Sequence, residues 1–263
     1  MPTDDDHVGQ RNLTSWVTPV GRFLVRRLEP LARWIGPYAA LLLIIGIGGG
    51  IAALLAAASA EVYEAVVESD DVAVLDRPML DLAVSLRQDW LDTAVTWYTT
   101  IGGPVGMPII AVVIMVLLAL HRRSWTPVIL IPAAGFGSLL MTVAGKDAIG
   151  RLRPPLEFAV PPYETSPSFP SGHSLNALVI AGIVAYLLVL RQHRARTRVL
   201  TVALAVVFAV TMGLSRVYLG HHWFTDVLVA WTLGTAWLAV VVTVHRLFLT
   251  FQSSGSAEDA TPG

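Results

Sequence analysis

The sequence contains no cysteine among its 263 residues, and charged residues are scarce. The lack of cysteine excludes disulfide bonds, thiolate catalysis and zinc sites built on cysteine. Charged residues make up 14% of the chain and hydrophobic residues 54%, whereas charged residues make up about a quarter of an ordinary soluble domain. The net charge of −1 comes without a polybasic block, so no nucleic-acid partner is expected. This composition is typical of a chain embedded in a membrane.

Six apolar runs are long enough to cross a bilayer, whose hydrocarbon core of about 30 Å is spanned by about 20 helical residues. They lie at 38–60, 104–121, 125–145, 172–190, 199–215 and 225–247. The sequence therefore predicts an all-α polytopic membrane protein with a bundle of six transmembrane helices. The bundle domain is expected at 37–250, after an N-terminal arm at 1–36 and before a disordered tail at 251–263. The aromatic-rich segment 89–101 is a candidate for a separate helix at the membrane interface.

Basic residues are concentrated in four of the segments that precede, connect or follow these runs. These segments are 22–33, 121–123, 191–198 and 245–246. If the helices alternate in direction, the four segments fall on one side of the membrane, which the positive-inside rule assigns to the cytoplasm. The prediction is a multi-pass protein of the plasma membrane with both termini in the cytoplasm. The segments 146–171 and 216–224 then lie on the extracytoplasmic side.

The first of three polar patches follows the third apolar run, from Lys146 to Pro154. Its cations are Lys146, Arg151 and Arg153. In one interpretation these side chains only reach from a helix end toward water; in the other they bind a ligand.

The second patch, Pro170-Ser171-Gly172-His173, begins the fourth run. Ser171 is expected to be the helix N-cap, and glycine lets another group approach the backbone closely. The free N–H groups of a helix start favour an anion. The alternative is a capped helix that carries a histidine in its first turn and binds nothing.

The third patch runs from Ser215 to Asp226 and contains two adjacent histidines. His222 and Asp226 are four residues apart, so on a helix they share a face and the carboxylate can reach the imidazole. A carboxylate bound to one ring nitrogen fixes the tautomer and leaves the other nitrogen as a nucleophile or base. His221 has Thr225 at the matching position and is expected to be solvated or to support the site indirectly. The alternative is a membrane-interface histidine beside a capping aspartate.

All three patches lie at the predicted extracytoplasmic ends of helices, so the topology brings them to one membrane face. Together they supply cations, a helix N-terminus, two histidines and a carboxylate, which suits the binding and cleavage of a phosphate ester. A metal site is the less favoured alternative, because the histidines have only Asp226 as an obvious further ligand.

Three spaced motifs make this interpretation specific. They are Lys146-x6-Arg153-Pro154, Pro170-Ser171-Gly172-His173 and Ser215-Arg216-x5-His222-x3-Asp226. In residue type, spacing and order they match the motifs of the type 2 phosphatidic acid phosphatase (PAP2) superfamily, and the chain resembles its membrane-bound lipid phosphatase branch. The motifs span residues 146–226, and the six-helix layout extends the resemblance over most of the chain.

The resemblance implies a role for each motif residue. His222 attacks phosphorus and forms a phosphohistidine, Asp226 orients His222, and His173 protonates the leaving group. The phosphate-binding residues are Lys146, Arg153, Ser171, Gly172 and Arg216. Members of this family act without a metal or another cofactor, which fits a site where three cations neutralise the phosphate.

The predicted position of the site in the membrane indicates the class of substrate, because a site at headgroup depth suits a lipid phosphate. The candidates are a polyprenyl diphosphate such as undecaprenyl diphosphate, phosphatidic acid, phosphatidylglycerol phosphate and diacylglycerol pyrophosphate. The motifs bind the phosphate and do not select the tail, but an outward-facing site in a small bundle favours the polyprenyl carrier. The proline-rich loop 154–170, with Tyr163 and Glu164, is expected to rim the site and to influence this choice.

Two alternatives to a membrane lipid phosphatase belong to other classes. One is a non-catalytic protein that binds or transports lipid on the same fold, although such a protein has no need of His173, His222 and Asp226 together. The other is a soluble vanadate-dependent haloperoxidase, which the six apolar runs oppose. Glycines at 46 and 48–50 allow close helix packing, either within the bundle, which is favoured, or in a homodimer.

Overall fold

The computed structural model describes residues 7–8, 11–36 and 73–258, together with the isolated positions 39, 46, 48 and 50. Two short strands, His7–Val8 (β1) and Arg11–Asn12 (β2), pair antiparallel. The remaining regular structure in these residues is helical, which confirms the predicted all-helical class apart from this hairpin.

Among the residues that the structure describes, eight helices have continuous bounds, and most of them are joined by short segments. They are α1 (Pro19–Ile35), α2 (Asp76–Ser85), α3 (Asp89–Ile101), α4 (Gly106–Arg122), α5 (Thr126–Ile149), α6 (Gly172–Leu190), α7 (Ala195–Tyr218) and α8 (Phe224–Glu258). Single 3-10 turns lie at Ala73–Leu75 and Leu156–Phe158.

Within the described residues, α5, α6, α7 and α8 are each long and apolar enough to cross a bilayer. Helices α3 and α4 meet the same criterion together, as one span bent by 50°. The described chain thus has four candidate spans, or five if the bent pair counts as one, and a count of six is not confirmed. The first predicted span, 38–60, falls almost wholly outside the described residues. The chain is a multi-pass membrane protein.

The break between α3 and α4 follows directly from the sequence Gly102-Gly103-Pro104. Proline has no N–H for a helical hydrogen bond, and the glycines weaken the helix before it. A Cβ added at Gly102 would lie 2.5 Å from the Met212 sulfur, so glycine lets the end of α3 approach α7 closely. The segment 89–101 is accordingly a separate helix, and the predicted second span starts at Gly106.

Helix α6 lies at the centre of the bundle and packs against α5, α7 and α8. Leu175, Val179, Ile183 and Leu187 recur every fourth residue along it and are fully buried, as expected for one face of a helix. This packing holds the first turn of α6 beside the last turns of α5 and α7 and the first turn of α8, where the polar patches lie.

The N-terminal arm packs at the opposite end of the bundle. Leu24 and Leu28 of α1 contact a cluster with Leu247 and Phe251 of α8. Helix α8 continues to Glu258, past the predicted domain boundary at 250. The predicted tail therefore begins with helical residues. The basic connections 123–125 and 191–194 join helix ends on this same side of the bundle.

Candidate active site

The three polar patches meet at one end of the bundle. Lys146 lies in the last turn of α5, His173 in the first turn of α6, Arg216 in the last turn of α7 and Asp226 in the first turn of α8. A cavity of about 690 Å³ opens beside Lys146 and His173. Lys146, Glu164, Gly172, His173 and His222 are among its lining residues. The predicted convergence of distant segments is therefore observed.

The turn between α7 and α8 aims His222 into this cavity. Gly220 in that turn has a φ of 68°, and a Cβ there would lie 2.0 Å from the carbonyl oxygen of Phe158, so only glycine fits. His222 is 1% exposed. Its Nδ1 lies 3.5 Å from Asp226 Oδ2, and its Nε2 lies 3.3 Å from Nη1 of Arg153. One ring nitrogen therefore faces a carboxylate and the other faces a cation.

The Asp226 carboxylate is fully buried and has partners on both oxygens. Oδ1 lies 2.5 Å from Arg151 Nη1. Oδ2 accepts hydrogen bonds from the Ser168 hydroxyl at 2.5 Å and from the backbone N–H of Trp223 at 2.9 Å. These contacts fix the carboxylate that is nearest to His222.

Arg151 also binds a second buried carboxylate. Its Nη2 lies 2.7 Å from Asp76 Oδ2, at the start of α2. Asp76 in turn accepts hydrogen bonds from the backbone N–H and the hydroxyl of Thr225, at 2.9 and 2.8 Å. These hydrogen bonds link the start of α2 to the start of α8, beside Asp226.

The three cations of the motifs surround a carboxylate from the long loop. Arg216 is 1% exposed and Nη2 contacts Glu164 Oε1, while Nη1 donates to the Thr99 hydroxyl at 3.0 Å. Arg153 Nη2 lies 2.8 Å from Glu164 Oε2. Lys146 Nζ donates to the Ser166 hydroxyl at 3.2 Å. Nε of Arg216 is buried and has no hydrogen-bond partner among the described residues, so this N–H group is available to a ligand.

Burial and charge set the protonation of the groups in the connecting segments. Burial lowers the pKa of His222 to about 4, against the opposing effect of the Asp226 carboxylate, so the ring is neutral near pH 7 and one ring nitrogen keeps its lone pair. Burial acts to raise the pKa of Glu164, but the charges of Arg216 and Arg153 lower it to about 2. Glu164 is therefore ionised at physiological pH.

Comparison with known proteins identifies the family. A family model described as the PAP2 superfamily matches residues 126–249. Phosphatidylglycerophosphatase B of Bacillus subtilis (strain 168) is 35% identical over 178 residues, which cover 66% of this chain and 84% of that protein. The chain belongs to the PAP2 superfamily.

Two further relatives agree with this assignment. A crystal structure titled as the first transmembrane PAP2 type phosphatidylglycerolphosphate phosphatase from Bacillus subtilis matches with a TM-score of 0.58 and 30% identity, covering 82% of this chain and 96% of the other. An undecaprenyl-diphosphatase of Sulfolobus acidocaldarius is 33% identical over 107 residues, 39% of this chain and 47% of that protein. The prediction of a PAP2-type membrane phosphatase is confirmed.

The structure alters the expectation for Ser171 and, of the two expectations for His221, excludes exposure to solvent. Ser171 occupies the N-cap position of α6, but its side chain makes no capping bond and instead shares a 2.7 Å hydrogen bond with the Ser174 hydroxyl. His221 is not solvated: it is 4% exposed, and its Nε2 donates to the Val160 carbonyl at 2.7 Å. Burial lowers the pKa of His221 to about 4, and the Arg216 charge acts in the same direction.

Several PAP2-site residues were not assigned a role from the sequence. The sequence alone presents Arg151 as one of the cations in the first patch and Glu164 as part of a rim. Ser168 and Asp76 carried no recognisable signal, since serine is common in such loops and Asp76 lies far away in the chain. Within the described residues, no cluster of three or more histidine, aspartate or glutamate side chains is placed to hold a metal ion.

Proposed function

We propose that this PAP2-type phosphatase hydrolyses a lipid phosphomonoester through His222, with phosphatidylglycerol phosphate as the first candidate substrate. The observation that carries the proposal is the position of His222 Nε2, which lies 3.3 Å from the Arg153 guanidinium in a cavity shared with Lys146 and His173. A phosphate held by these cations has its phosphorus within reach of a neutral imidazole nitrogen.

The reaction has two steps. In the first, the Nε2 lone pair of His222 attacks phosphorus, the bond between phosphorus and the lipid oxygen breaks, and His173 gives a proton to the leaving oxygen. In the second, His173, now without that proton, takes a proton from a water molecule as the water attacks the phosphorus of the phosphohistidine; the P–N bond breaks, and orthophosphate leaves. Asp226 holds the His222 ring in place and stabilises the positive charge that the ring gains in the first step.

Lys146, Arg153 and Arg216 are the phosphate ligands in this proposal, with Ser171 and the backbone of Gly172 at the start of α6. Their three positive charges supply the neutralisation that magnesium supplies in kinases. The unpartnered Nε of Arg216 fits this role, because a buried donor without an acceptor is costly until an anion arrives. No cofactor takes part.

The apolar part of the cavity supports a lipid substrate. Between α4, α5 and α6 it is lined by nonpolar side chains, among them Met107, Met115, Ile131 and Ile180. Phe136 also lines it and is 68% exposed, so the cavity opens sideways on the surface that contacts lipid. From Lys146 back to Ile131 this lining follows α5 for about 22 Å at 1.5 Å per residue, room for much of a lipid tail.

The relatives guide the choice of lipid. The two that this chain covers best are named for phosphatidylglycerol phosphate, which therefore replaces polyprenyl diphosphate as the first candidate. The undecaprenyl-diphosphatase matches over a smaller share of both chains and keeps polyprenyl diphosphate as the second. A homodimer is not part of this proposal.

The site is proposed to face the extracytoplasmic side of the plasma membrane. The basic connections 123–125 and 191–194 and the arm helix α1 lie at the end of the bundle opposite to His222. Under the positive-inside rule that end is cytoplasmic.

A substrate panel in detergent micelles tests the function. The purified wild-type protein should release orthophosphate from phosphatidylglycerol phosphate faster than from phosphatidic acid or undecaprenyl diphosphate, and His222→Ala should release none. Wild-type activity in His222→Ala would refute the assigned nucleophile. Preference for the diphosphate would move the substrate to the second candidate, and turnover of no lipid phosphate would end the proposal.

A further inference from the structure

We propose that Glu164 is a built-in competitor for the phosphate site: its carboxylate pairs with the phosphate-binding arginines until a phosphate displaces it, and it returns to help expel orthophosphate. This inference rests on the proposed function, because it assumes that Arg153 and Arg216 bind the substrate phosphate.

The two oxygens of Glu164 are divided between the two arginines. Oε1 contacts Arg216 Nη2, and Oε2 lies 2.8 Å from Arg153 Nη2. Both guanidinium side chains are buried, at 2% and 12% exposure, so these contacts are more than a solvated surface pair. A carboxylate that bridges two arginines makes the same kind of paired contacts as two oxygens of a phosphate.

The residues after Glu164 satisfy the same cations. Arg153 Nε donates to the Ser166 carbonyl at 2.7 Å, and Lys146 Nζ donates to the Ser166 hydroxyl and to the Pro167 carbonyl. The short segment 164–167 therefore provides acceptors for all three cations that would hold a phosphate. It acts as an internal substitute for the anion.

The position of the carboxylate places it in competition with the substrate. Arg153 contacts Glu164 with Nη2 and faces His222 Nε2 with Nη1, so one guanidinium joins the carboxylate to the nucleophile. Glu164 lines the same cavity as Lys146, His173 and His222. A phosphate close enough for attack by His222 would share its arginines with Glu164 or displace it.

The loop is built so that Glu164 can leave without unfolding the bundle. The Glu164 side chain is 29% exposed and belongs to a segment without regular structure. Backbone hydrogen bonds anchor the loop on either side, from Val160 N–H to the Leu219 carbonyl at 2.9 Å and from Ser168 N–H to the Arg151 carbonyl at 2.8 Å. The Glu164 side chain can therefore turn away from the arginines while the loop anchors and the helices stay in place.

When Glu164 competes for the site, the apparent affinity for any anion equals the affinity of the open site multiplied by the fraction of molecules in which the site is open. This competition weakens the binding of substrate and product alike. A lipid substrate also binds through contacts to its tail, whereas orthophosphate has no tail. Glu164 therefore weakens the binding of the product and shortens its stay in the site.

The test compares Glu164→Gln with the matched variant Glu157→Gln, which changes an exposed carboxylate of the same loop. The probe is orthophosphate, and the readouts are its dissociation constant by calorimetry and its inhibition constant against phosphatidylglycerol phosphate. Glu164→Gln should bind orthophosphate about tenfold more tightly or better, because the glutamine amide cannot form the two ion pairs. Glu157→Gln should match the wild type.

Unchanged or weaker binding of orthophosphate by Glu164→Gln would overturn the proposal, because it would mean that Glu164 holds the arginines in position and does not compete with phosphate. Glu164→Ala, which also removes the amide, should change the affinity in the same direction as Glu164→Gln. Failure of the proposed function would look different: wild-type protein would release no phosphate from lipid, whatever the variants do to orthophosphate binding.

Discussion

Replacing Arg151 by glutamine should destabilise the fold far more than an ordinary loss of a surface charge. The guanidinium lies between two carboxylates, 2.5 Å from Asp226 Oδ1 and 2.7 Å from Asp76 Oδ2. Asp226 is fully buried and Asp76 is 5% exposed. Removing one partner of a buried ion pair costs about 3–5 kcal/mol, because the remaining charge stays desolvated. Here a single substitution leaves two such charges close together.

The expected effect is large enough to measure by thermal unfolding in detergent micelles. For a chain of this size about 1 kcal/mol shifts the unfolding midpoint by about 2–4 °C, so Arg151→Gln should lower it by about 6–20 °C. Arg153→Gln is the matched control, since Arg153 is similarly buried but bonds Glu164 and loop carbonyls instead of Asp226. It should weaken phosphate binding and lower the midpoint much less.

A double-mutant cycle with Asp76→Asn isolates the cause. In wild-type protein Asp76→Asn removes an ion pair, whereas in Arg151→Gln it removes an uncompensated charge and should partly restore stability. The coupling energy should be about 1–3 kcal/mol. Additive effects, or an Arg151→Gln midpoint equal to that of the wild type, would refute the view that Arg151 neutralises this pair of carboxylates.

Three further outcomes are expected. Stability should fall from about pH 7.5 to about pH 5.5, because burial lowers the pKa of His221 and His222 to about 4 and the unfolded chain, whose histidines titrate near 6.5, then binds more protons. The loss of unfolding free energy is about 1 kcal/mol per histidine. It should appear as a lower thermal unfolding midpoint at about pH 5.5, and His221→Gln should make that midpoint less dependent on pH. A midpoint that does not change with pH would contradict this expectation. Phosphate release should survive EDTA, and strict dependence on added magnesium would overturn neutralisation by the three cations. In this cysteine-free chain, a cysteine replacing exposed Glu157 should react with an impermeant maleimide on intact cells, and one replacing exposed Arg194 only after permeabilisation; the reverse pattern would invert the proposed orientation.

The sequence was sufficient for the parts of the site that depend on local spacing and on helix direction. His222 and Asp226 are four positions apart, and the fold indeed brings their side chains within 3.5 Å. Lys146 and His173 end one span and begin the next, so a bundle of alternating helices has to put them at the same membrane face. These conclusions need only the helical repeat and the length of a span.

The missing parts depend on contacts that no spacing encodes. Arg151 and Arg153 are two positions apart in a non-helical segment; the first motif marks Arg153 as a phosphate ligand, but nothing in the sequence tells that Arg151 binds Asp226. Asp76 is brought in by the packing of α2 against α7 and α8, which no motif marks. Glu164 is one carboxylate in a proline-rich loop, and its partners became visible only in three dimensions.

In the proposed mechanism, the charges of the site give each arginine of the loop a separate role. With Glu164 in place, four cations, Lys146, Arg151, Arg153 and Arg216, face three carboxylates, Asp76, Asp226 and Glu164, an excess of one positive charge. When Glu164 leaves, the excess rises to two. A phosphomonoester carries about −1.5 to −2 near neutral pH. The open site therefore matches the charge of its ligand only because Arg151 offsets part of the negative charge of Asp76 and Asp226. The other three cations are then available to phosphate.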